Sequence, residues 1–211
     1  VSSGNMDIDI YDEPELKAGG TLAVPLVTGD IDLSALGTVT DIVDDQVFAF
    51  GHSFQGTGYL DLPMATGVVH TVVSSVVRSF KFGSPRKIVG ALRADESTAI
   101  RGVIGAEPNM IPLKITIDRF NDPQTRYYDC KVAVNKQLTP LLVASATSGA
   151  AQMFGSIPAD NTVEYEGTIQ IENYHPIKFE NISTMENLGQ FSRAMMSSIS
   201  MLMNNPWDRV N

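Results

Sequence analysis

His52 is the residue of this chain best placed for acid–base chemistry near neutral pH. It follows the strand-like run Gln46–Phe50 and Gly51, and a glycine-rich loop from Ser53 to Gly58 comes after it. A side chain at the end of a strand is held by rigid backbone yet can still be reached by a substrate. Histidine is also the side chain whose ordinary pKa allows proton transfer between pH 5 and 8. The chain contains only three histidines, so few residues compete for this role.

The other residues able to do chemistry have structural interpretations. Cys130 lies in the alternating run Tyr127–Val132, which predicts a small buried residue, and a single cysteine cannot form an internal disulfide. His70 lies within a valine-rich run and His175 precedes Pro176, so both are expected to be structural. The histidines and the early aspartates match no HExxH-like, facial-triad or EF-hand spacing. We therefore expect no metal ion and no cofactor.

An orienting carboxylate for His52 would come from Asp61 or Asp41. Asp61 is followed by Leu62–Pro63, which places its carboxylate in a constrained loop just after the glycine-rich segment. Turn capping is the alternative role for either aspartate. Asp61 is our candidate for the catalytic acid partner.

The composition and charge of the chain exclude several classes of protein and so limit which folds could position these residues. The chain has 211 residues, 43% of them hydrophobic, and a formal net charge of −9. An acidic chain of this kind argues against nucleic-acid binding, which needs a basic face. No apolar run reaches the roughly 18 residues that could span a membrane. The chain opens at Val1 without a methionine, so we expect a processed product or a piece of a longer protein.

Short β-type runs separated by turn signals fill residues 21–134. Thr21–Val27 is apolar, and Leu36–Val43 and Gln46–Phe50 flank Asp44–Asp45 as a predicted hairpin. The many β-branched residues of Val68–Phe82 predict one long or bent strand, followed by a turn at Gly83–Ser84–Pro85. Such closely spaced strands are typical of an antiparallel barrel or sandwich. Further strands are predicted at Arg86–Arg93, Ile100–Ile104, Pro112–Phe120 and Arg126–Val134.

Residues 135–211 have a different pattern, which predicts an α+β part packed on the β domain and truncated at its end. Thr139 is the predicted N-cap of a helix over Leu141–Phe154, and Thr184 opens a second helix that ends near Asn204. The methionines of this second helix fit core filling better than a groove for a partner. Residues 1–20 are predicted to be an N-terminal arm or linker. Other predicted elements are strands at Thr162–Ile171 and Ile177–Glu180 and the start of a strand at Trp207–Val210.

Three short motifs, in their order and spacing, support a resemblance to a known family. They are LGTVT at Leu36–Thr40, AFGH at Ala49–His52 and GSP at Gly83–Pro85. This block of about 80 residues resembles the SpoIVB-type S55 family of bacterial serine peptidases. The resemblance implies a β-barrel of trypsin-like character in residues 21–134, His52 as the catalytic base, and an extracytoplasmic location.

The chain departs from the family at the nucleophile. The family carries its serine in a G-M-S-G-S-P element, and no such element occurs here. Ser84, Ser53 and Ser148 are poor substitutes, and in some relatives the serine element precedes the histidine block. His52 therefore has three interpretations: the base of a site whose serine lies on other chain, a relic in a non-catalytic member, or a structural histidine.

Two functions follow from these interpretations. The first is an S55-related peptidase domain that supplies the histidine, is inactive alone, and is completed by the remaining part of its precursor. The second is a non-catalytic cell-envelope domain for binding or assembly that holds a protein or peptide segment.

Overall fold

The computed structural model describes residues 15–74, 79–120, 122–153, 155, 160–183 and 189–206. The chain divides into two compact units. The first contains Val1–Leu26 and Leu33–Asn109, and the second contains Val27–Asp32 and Met110–Asn211. This division differs from the predicted boundary after residue 134, because the last two strands of the predicted β domain group with the C-terminal helices.

The first unit is an antiparallel sheet in the order β2-β3-β6-β5-β4-β1, and β2 also pairs with β1. Its central strands bury Leu60, Leu62, Met64 and Leu92 completely. The predicted hairpin of β2 and β3 is confirmed, and it turns at Asp44, whose φ of 56° is one that aspartate tolerates. The strands are β1 Thr21–Gly29, β2 Leu33–Val43, β3 Gln46–Ala49, β4 Gly58–Val73, β5 Phe80–Asp95 and β6 Ile100–Ile104.

The prediction of a single strand over Val68–Phe82 is wrong. The chain reverses between Val73 and Phe80, which pair across an antiparallel ladder, so the two ends of this run lie in different strands. Residues 75–78 lie outside the described residues. β-branched side chains favour extended backbone but carry no information about where that backbone reverses. The predicted turn at Gly83–Ser84–Pro85 is also wrong, because these residues lie inside β5, opposite Val69, Val68 and Gly67.

The second unit combines a β-hairpin, a two-stranded sheet and two helices. Its elements are β7 Met110–Arg119, β8 Asp122–Ala133, α1 Leu138–Gln152, β9 Val163–Ile169, β10 Ile177–Ser183 and α2 Gly189–Met203. The end of β1 pairs with β8, and β9 pairs with β10 as predicted. Helix α1 packs against β7, β8 and α2.

The predicted N-cap of the first helix is wrong. The Asn135 side-chain oxygen accepts the backbone N–H groups of Gln137 and Leu138, while Thr139 lies inside α1, fully buried. The Thr139 hydroxyl donates to the carbonyl oxygen of Ala133, so Thr139 makes a buried hydrogen bond and does not cap the helix.

The fold class is confirmed as mainly β with two helices, with eight antiparallel strands hydrogen-bonded in the order β2-β3-β6-β5-β4-β1-β8-β7. The trypsin-like barrel character stays a prediction. Cys130 is buried, as expected, and so is Met203, whereas Met201 is exposed. Thr184, Met185 and Trp207–Val210 lie outside the described residues.

Candidate functional site

His52 lies just beyond β3, where the backbone turns sharply into the glycine-rich loop. Phe50 and Gly51 both have positive φ, 75° and 72°, and the Phe50 N–H donates to the carbonyl oxygen of Thr38. Phe50 packs over Gly37, where the Cβ of any other residue would collide with its ring. A positive φ at a bulky residue needs support of this kind from its surroundings. The start of the loop is therefore fixed by β2.

The His52 ring is exposed and its two nitrogens have different environments. Nδ1 lies 2.6 Å from the carbonyl oxygen of Ser53, which can only accept, so Nδ1 carries the proton and donates. Among the described residues, Nε2 has no hydrogen-bond partner. The bond made by one ring nitrogen sets the role of the other, so Nε2 is left with its lone pair available to solvent or to a substrate proton.

The Phe50 ring packs beside the imidazole of His52 and also contacts Phe54. The Phe50 ring centroid lies 5.7 Å from that of His52 and 5.8 Å from that of Phe54, with tilted or edge-on geometry. Such arrangements are favoured by the quadrupoles of aromatic rings. His52 therefore projects from an aromatic cluster that belongs to the loop itself.

Asp95 holds the loop that follows His52. Its carboxylate accepts the N–H groups of Phe54, Gln55 and Gly56 at 2.6–2.7 Å and that of Thr57 at 3.4 Å. Burial of this side chain, which is 2% exposed, opposes ionisation, but the four backbone donors outweigh it and hold the pKa below its ordinary value. Asp95 is thus a positioning residue for the loop.

The sequence alone does not identify Asp95 as a partner of this loop, because the two are far apart in the chain. Asp95 reaches the loop because the β4–β5 ladder pairs it with Gly58, 37 positions earlier. Its one signal was its position at the end of an apolar β-run, and many solvated turn aspartates share that position.

The two aspartates nominated as partners of His52 have other contacts. Asp61 forms an ion pair with Arg93, whose guanidinium also donates to the carbonyl oxygen of Glu107 at 2.9 Å. Asp41 is exposed and accepts the N–H of Ile42 at 2.9 Å, a local contact. In the described part of the chain, the Nδ1 partner of His52 is a backbone carbonyl and not a carboxylate.

The three serines considered as nucleophiles also have other partners or positions. The Ser84 hydroxyl lies 2.7 Å from Nε2 of His70, across the β4–β5 ladder, and the Ser148 hydroxyl lies 2.6 Å from that of Ser192. Ser53 contributes its carbonyl oxygen to His52. The structure therefore brings none of these hydroxyl groups together with His52.

Within the described ranges, no group of three or more His, Cys, Asp or Glu side chains could hold a metal ion. The described helices are also too short or too polar to cross a membrane. Comparisons with protein-family models, curated proteins and solved structures found no match.

Proposed function

We propose that this chain supplies the histidine base of a serine-peptidase-type acyl-transfer site, as its resemblance to the S55 family implies. One observation carries this proposal: the Nδ1–H of the exposed His52 ring donates to the Ser53 carbonyl oxygen, and Nε2 has no hydrogen-bond partner within the described ranges. This is the tautomer that a general base needs, because Nε2 must accept the proton of the nucleophile.

The proposed reaction has two proton transfers through the same nitrogen. A serine outside the described residues attacks the carbonyl carbon of a peptide bond while Nε2 of His52 takes the hydroxyl proton. The tetrahedral intermediate then collapses, the C–N bond breaks, and Nε2–H gives its proton to the leaving amine. Water repeats the sequence on the acyl-enzyme and restores the serine.

The loop after His52 has a defined part in this scheme. Its N–H groups from Phe54 to Thr57 point to the Asp95 carboxylate, so they are not available as oxyanion donors. Donors to the oxyanion would come from the backbone that carries the serine. The loop instead keeps the Ser53 carbonyl, and through it the imidazole, in one orientation.

The Ser53 carbonyl takes the position that a carboxylate occupies in the familiar triad. Unlike the carboxylate of the triad, this carbonyl is neutral, so it orients the ring without placing a negative charge beside it. The proposed peptidase site therefore does not require Asp61 to orient His52, and Asp61 is paired with Arg93.

Labelling with an alkyl fluorophosphonate tests the proposal. The full-length product of the gene and the present chain alone are treated in parallel, each with His52→Gln and with the matched exposed variant His175→Gln. We expect labelling of the full-length product to fall by about 100-fold or more in His52→Gln, to stay unchanged in His175→Gln, and to be absent at this site in the present chain alone. Labelling of the full-length product that survives His52→Gln would show that the role assigned to His52 is wrong.

A second candidate function is binding or assembly in the cell envelope without catalysis. The observation that favours it is a group of large apolar side chains left exposed in the first unit, including Val72, Val73, Phe80 and Phe82. Patches of this kind on a folded domain commonly mark interaction sites.

A further inference from the structure

The β4–β5 ribbon, made of Gly67–Val73 and Phe80–Ile88, reaches beyond the strands that flank it. β1 pairs with β4 only as far as Thr66, and β6 pairs with β5 from Gly90 to Asp95. Within the part of the chain that is described, the two strands of the ribbon have each other as their only ladder partners. Each strand therefore leaves one row of backbone N–H and C=O groups open, which is a template for another strand.

One face of the ribbon, here called the outer face, carries exposed apolar side chains. Val73 stands opposite Phe80, and Thr71 stands opposite Phe82, so these four side chains share a face. Val73 is 40% exposed, Phe80 55% and Phe82 60%. Large aromatic side chains exposed side by side on one strand are unusual on a surface that contacts only water.

The opposite face of the ribbon is partly covered within the same unit. The Lys81 ammonium donates to the hydroxyl of Thr38 at 2.6 Å, and the Leu36 side chain lies 3.0 Å from the position of a Cβ at Gly83. Lys81 and Gly83 alternate with Phe80 and Phe82 along β5, so β2 lies against the face that the phenylalanines do not share. Val72, which stands opposite Lys81 on that face, is nevertheless 55% exposed, so β2 covers the face only in part. The outer face is the one that carries both exposed phenylalanines.

The ribbon lies in the longest stretch of the chain without acidic residues. Residues 62–94 contain five of the 15 basic residues and none of the 24 acidic ones, so the remainder of the chain carries a formal charge of −14. Three of the five basic residues, Lys81, Arg86 and Lys87, belong to the ribbon itself, on β5. A partner that complements both properties must be acidic and apolar together.

Three other occupants fit these features less well. A second ribbon would bring two positive surfaces together, which costs free energy. The hydrocarbon core of a bilayer would leave the open backbone rows without hydrogen bonds. A nucleic acid offers phosphates but no cover for Phe80 and Phe82, and it is repelled by the rest of this acidic chain.

We propose that the β4–β5 ribbon binds an extended segment of another protein in which acidic and apolar side chains alternate. The segment adds as a strand to the β4 edge, because Gly67–Val73 contains no proline, whereas the β5 edge contains Pro85, which lacks an N–H donor. An added strand lies about 5 Å from β4 and about 10 Å from β5. That distance is close to the Debye length, which is about 8 Å at physiological salt and about 30 Å at 0.01 M, so the attraction between the acidic groups of the segment and the basic residues of β5 grows as salt is lowered.

A labelled synthetic peptide of alternating aspartate and valine or isoleucine tests this surface on the full chain by fluorescence anisotropy. We expect saturable binding that is about tenfold weaker when NaCl is raised from about 50 to about 500 mM. Of two versions of the peptide, each N-methylated on alternate residues in one of the two registers, one should lose binding, because only one row of its N–H groups faces β4. Hydrogen exchange should slow in residues 67–73 when the unmodified peptide binds.

Matched variants locate the site. Phe82→Ser and Arg86→Glu should each weaken binding by about fivefold or more, whereas Tyr127→Ser and Arg193→Glu, an exposed aromatic and an exposed cation of the second unit, should change nothing. Several outcomes would overturn the proposal: no binding at about 1 mM peptide, equal binding by both N-methylated peptides, or equal binding by Phe82→Ser. Binding to anionic vesicles or a salt-resistant dimer, in place of peptide binding, would assign the ribbon to a bilayer or to a second copy. This proposal does not depend on the role of His52.

Discussion

The His52 ring is oriented by one hydrogen bond, from its Nδ1–H to the carbonyl oxygen of the next residue. A contact between neighbours in the chain costs little loop entropy, but it persists only where the backbone is fixed. Here the backbone is fixed on both sides of His52. Before it, Phe50 donates to the carbonyl oxygen of Thr38, and after it, Asp95 accepts backbone N–H groups of the loop. The orientation of this ring therefore depends on residues that are far from it in sequence.

The tautomer of His52 is the first quantity to measure. An unconstrained neutral histidine favours the proton on Nε2, whereas the Ser53 carbonyl oxygen requires it on Nδ1. In ¹⁵N NMR spectra recorded above the pKa of the ring, we expect His52 to show the Nδ1–H pattern. His175, which is exposed and has no hydrogen-bond partner among the described residues, should show the ordinary pattern. An Nε2–H pattern for both rings would contradict the orientation described here.

Asp95→Asn should loosen the loop without changing its length. An amide offers one acceptor oxygen in place of two, so its NH₂ group would face at least one of the backbone donors from Phe54 to Thr57. We expect a loss of about 2 kcal/mol in the free energy of unfolding, measured with urea, and faster hydrogen exchange at residues 54–57. Asp41→Asn, at an exposed local contact, should leave both quantities near their wild-type values. Unchanged exchange in Asp95→Asn would show that the carboxylate does not hold the loop.

The Asp95 carboxylate should make the folded state less stable as pH falls below about 4. The folded-state pKa of Asp95 lies below its ordinary value, which is about 3.9 in an unfolded chain, so the unfolded chain takes up the proton first as pH falls. Its contribution is complete above about pH 4 and disappears as pH falls through the folded-state pKa. Urea titrations between about pH 5 and pH 2 should therefore show a smaller acid-induced loss in Asp95→Asn than in the wild type. Parallel curves for the two proteins would rule this contribution out.

At the scale of elements, the β4–β5 ladder requires glycine at position 83. A Cβ at Gly83 would collide with the carbonyl oxygen of Val68 on the facing strand, whereas one at Gly149, in α1, would meet no atom within 4 Å. We expect Gly83→Ala to reduce the free energy of unfolding by about 1–3 kcal/mol. Gly149→Ala should instead raise it by about 0.5 kcal/mol, because alanine favours the helix. Urea denaturation of both variants measures these opposite changes in the free energy of unfolding. A Gly83→Ala protein as stable as the wild type would contradict the register of the ladder.

The elements that sequence predicts best are those with local signals. The β2–β3 hairpin has its turn residues between two apolar runs, and the pairing of β9 with β10 follows from two short strands with a turn between them. The reversal inside Val68–Phe82 has no glycine or proline to announce it, so pattern alone predicted one strand. The contact of Asp95 with the loop depends on the register of that same ladder. Sequence therefore located His52 at its strand end but not the carboxylate that holds its loop.

At the scale of the whole molecule, the charge is both large and uneven. The chain carries a formal charge of −9, with 24 acidic and 15 basic residues. Because acidic residues outnumber basic ones, repulsion among acidic groups outweighs attraction, and screening this repulsion should favour the folded state. Ion pairs such as Arg93–Asp61 and Arg126–Asp122 offset part of the repulsion. One like-charge contact is visible in the ladder of β9 and β10, where Glu180 stands directly opposite Glu166.

Comparing Glu180→Lys with Glu172→Lys separates the repulsion between Glu180 and Glu166 from the repulsion due to the net charge of the chain. Both replacements make the net charge less negative by the same amount, and both side chains are exposed, but Glu180 alone faces an acidic partner across a ladder. At low salt, Tm should rise in both variants, because each reduces the overall repulsion. The excess rise in Glu180→Lys should correspond to about 0.5 kcal/mol, because a like-charge pair becomes an opposite-charge pair. Calorimetry at about 20 mM NaCl measures both shifts.

Raising the salt concentration should remove the Tm increase that the two variants have in common. It should keep most of the additional increase in Glu180→Lys. Charges farther apart than about 8–10 Å are largely screened at physiological ionic strength, while side chains directly opposite in a ladder lie within about 5.5 Å. At about 300 mM NaCl, Glu172→Lys should therefore approach the wild-type Tm, and Glu180→Lys should stay above it. Equal shifts in the two variants at every salt concentration would show that the register of β9 and β10 contributes nothing. A fall in the wild-type Tm with added salt would show instead that attraction, and not repulsion, dominates the charge of this chain.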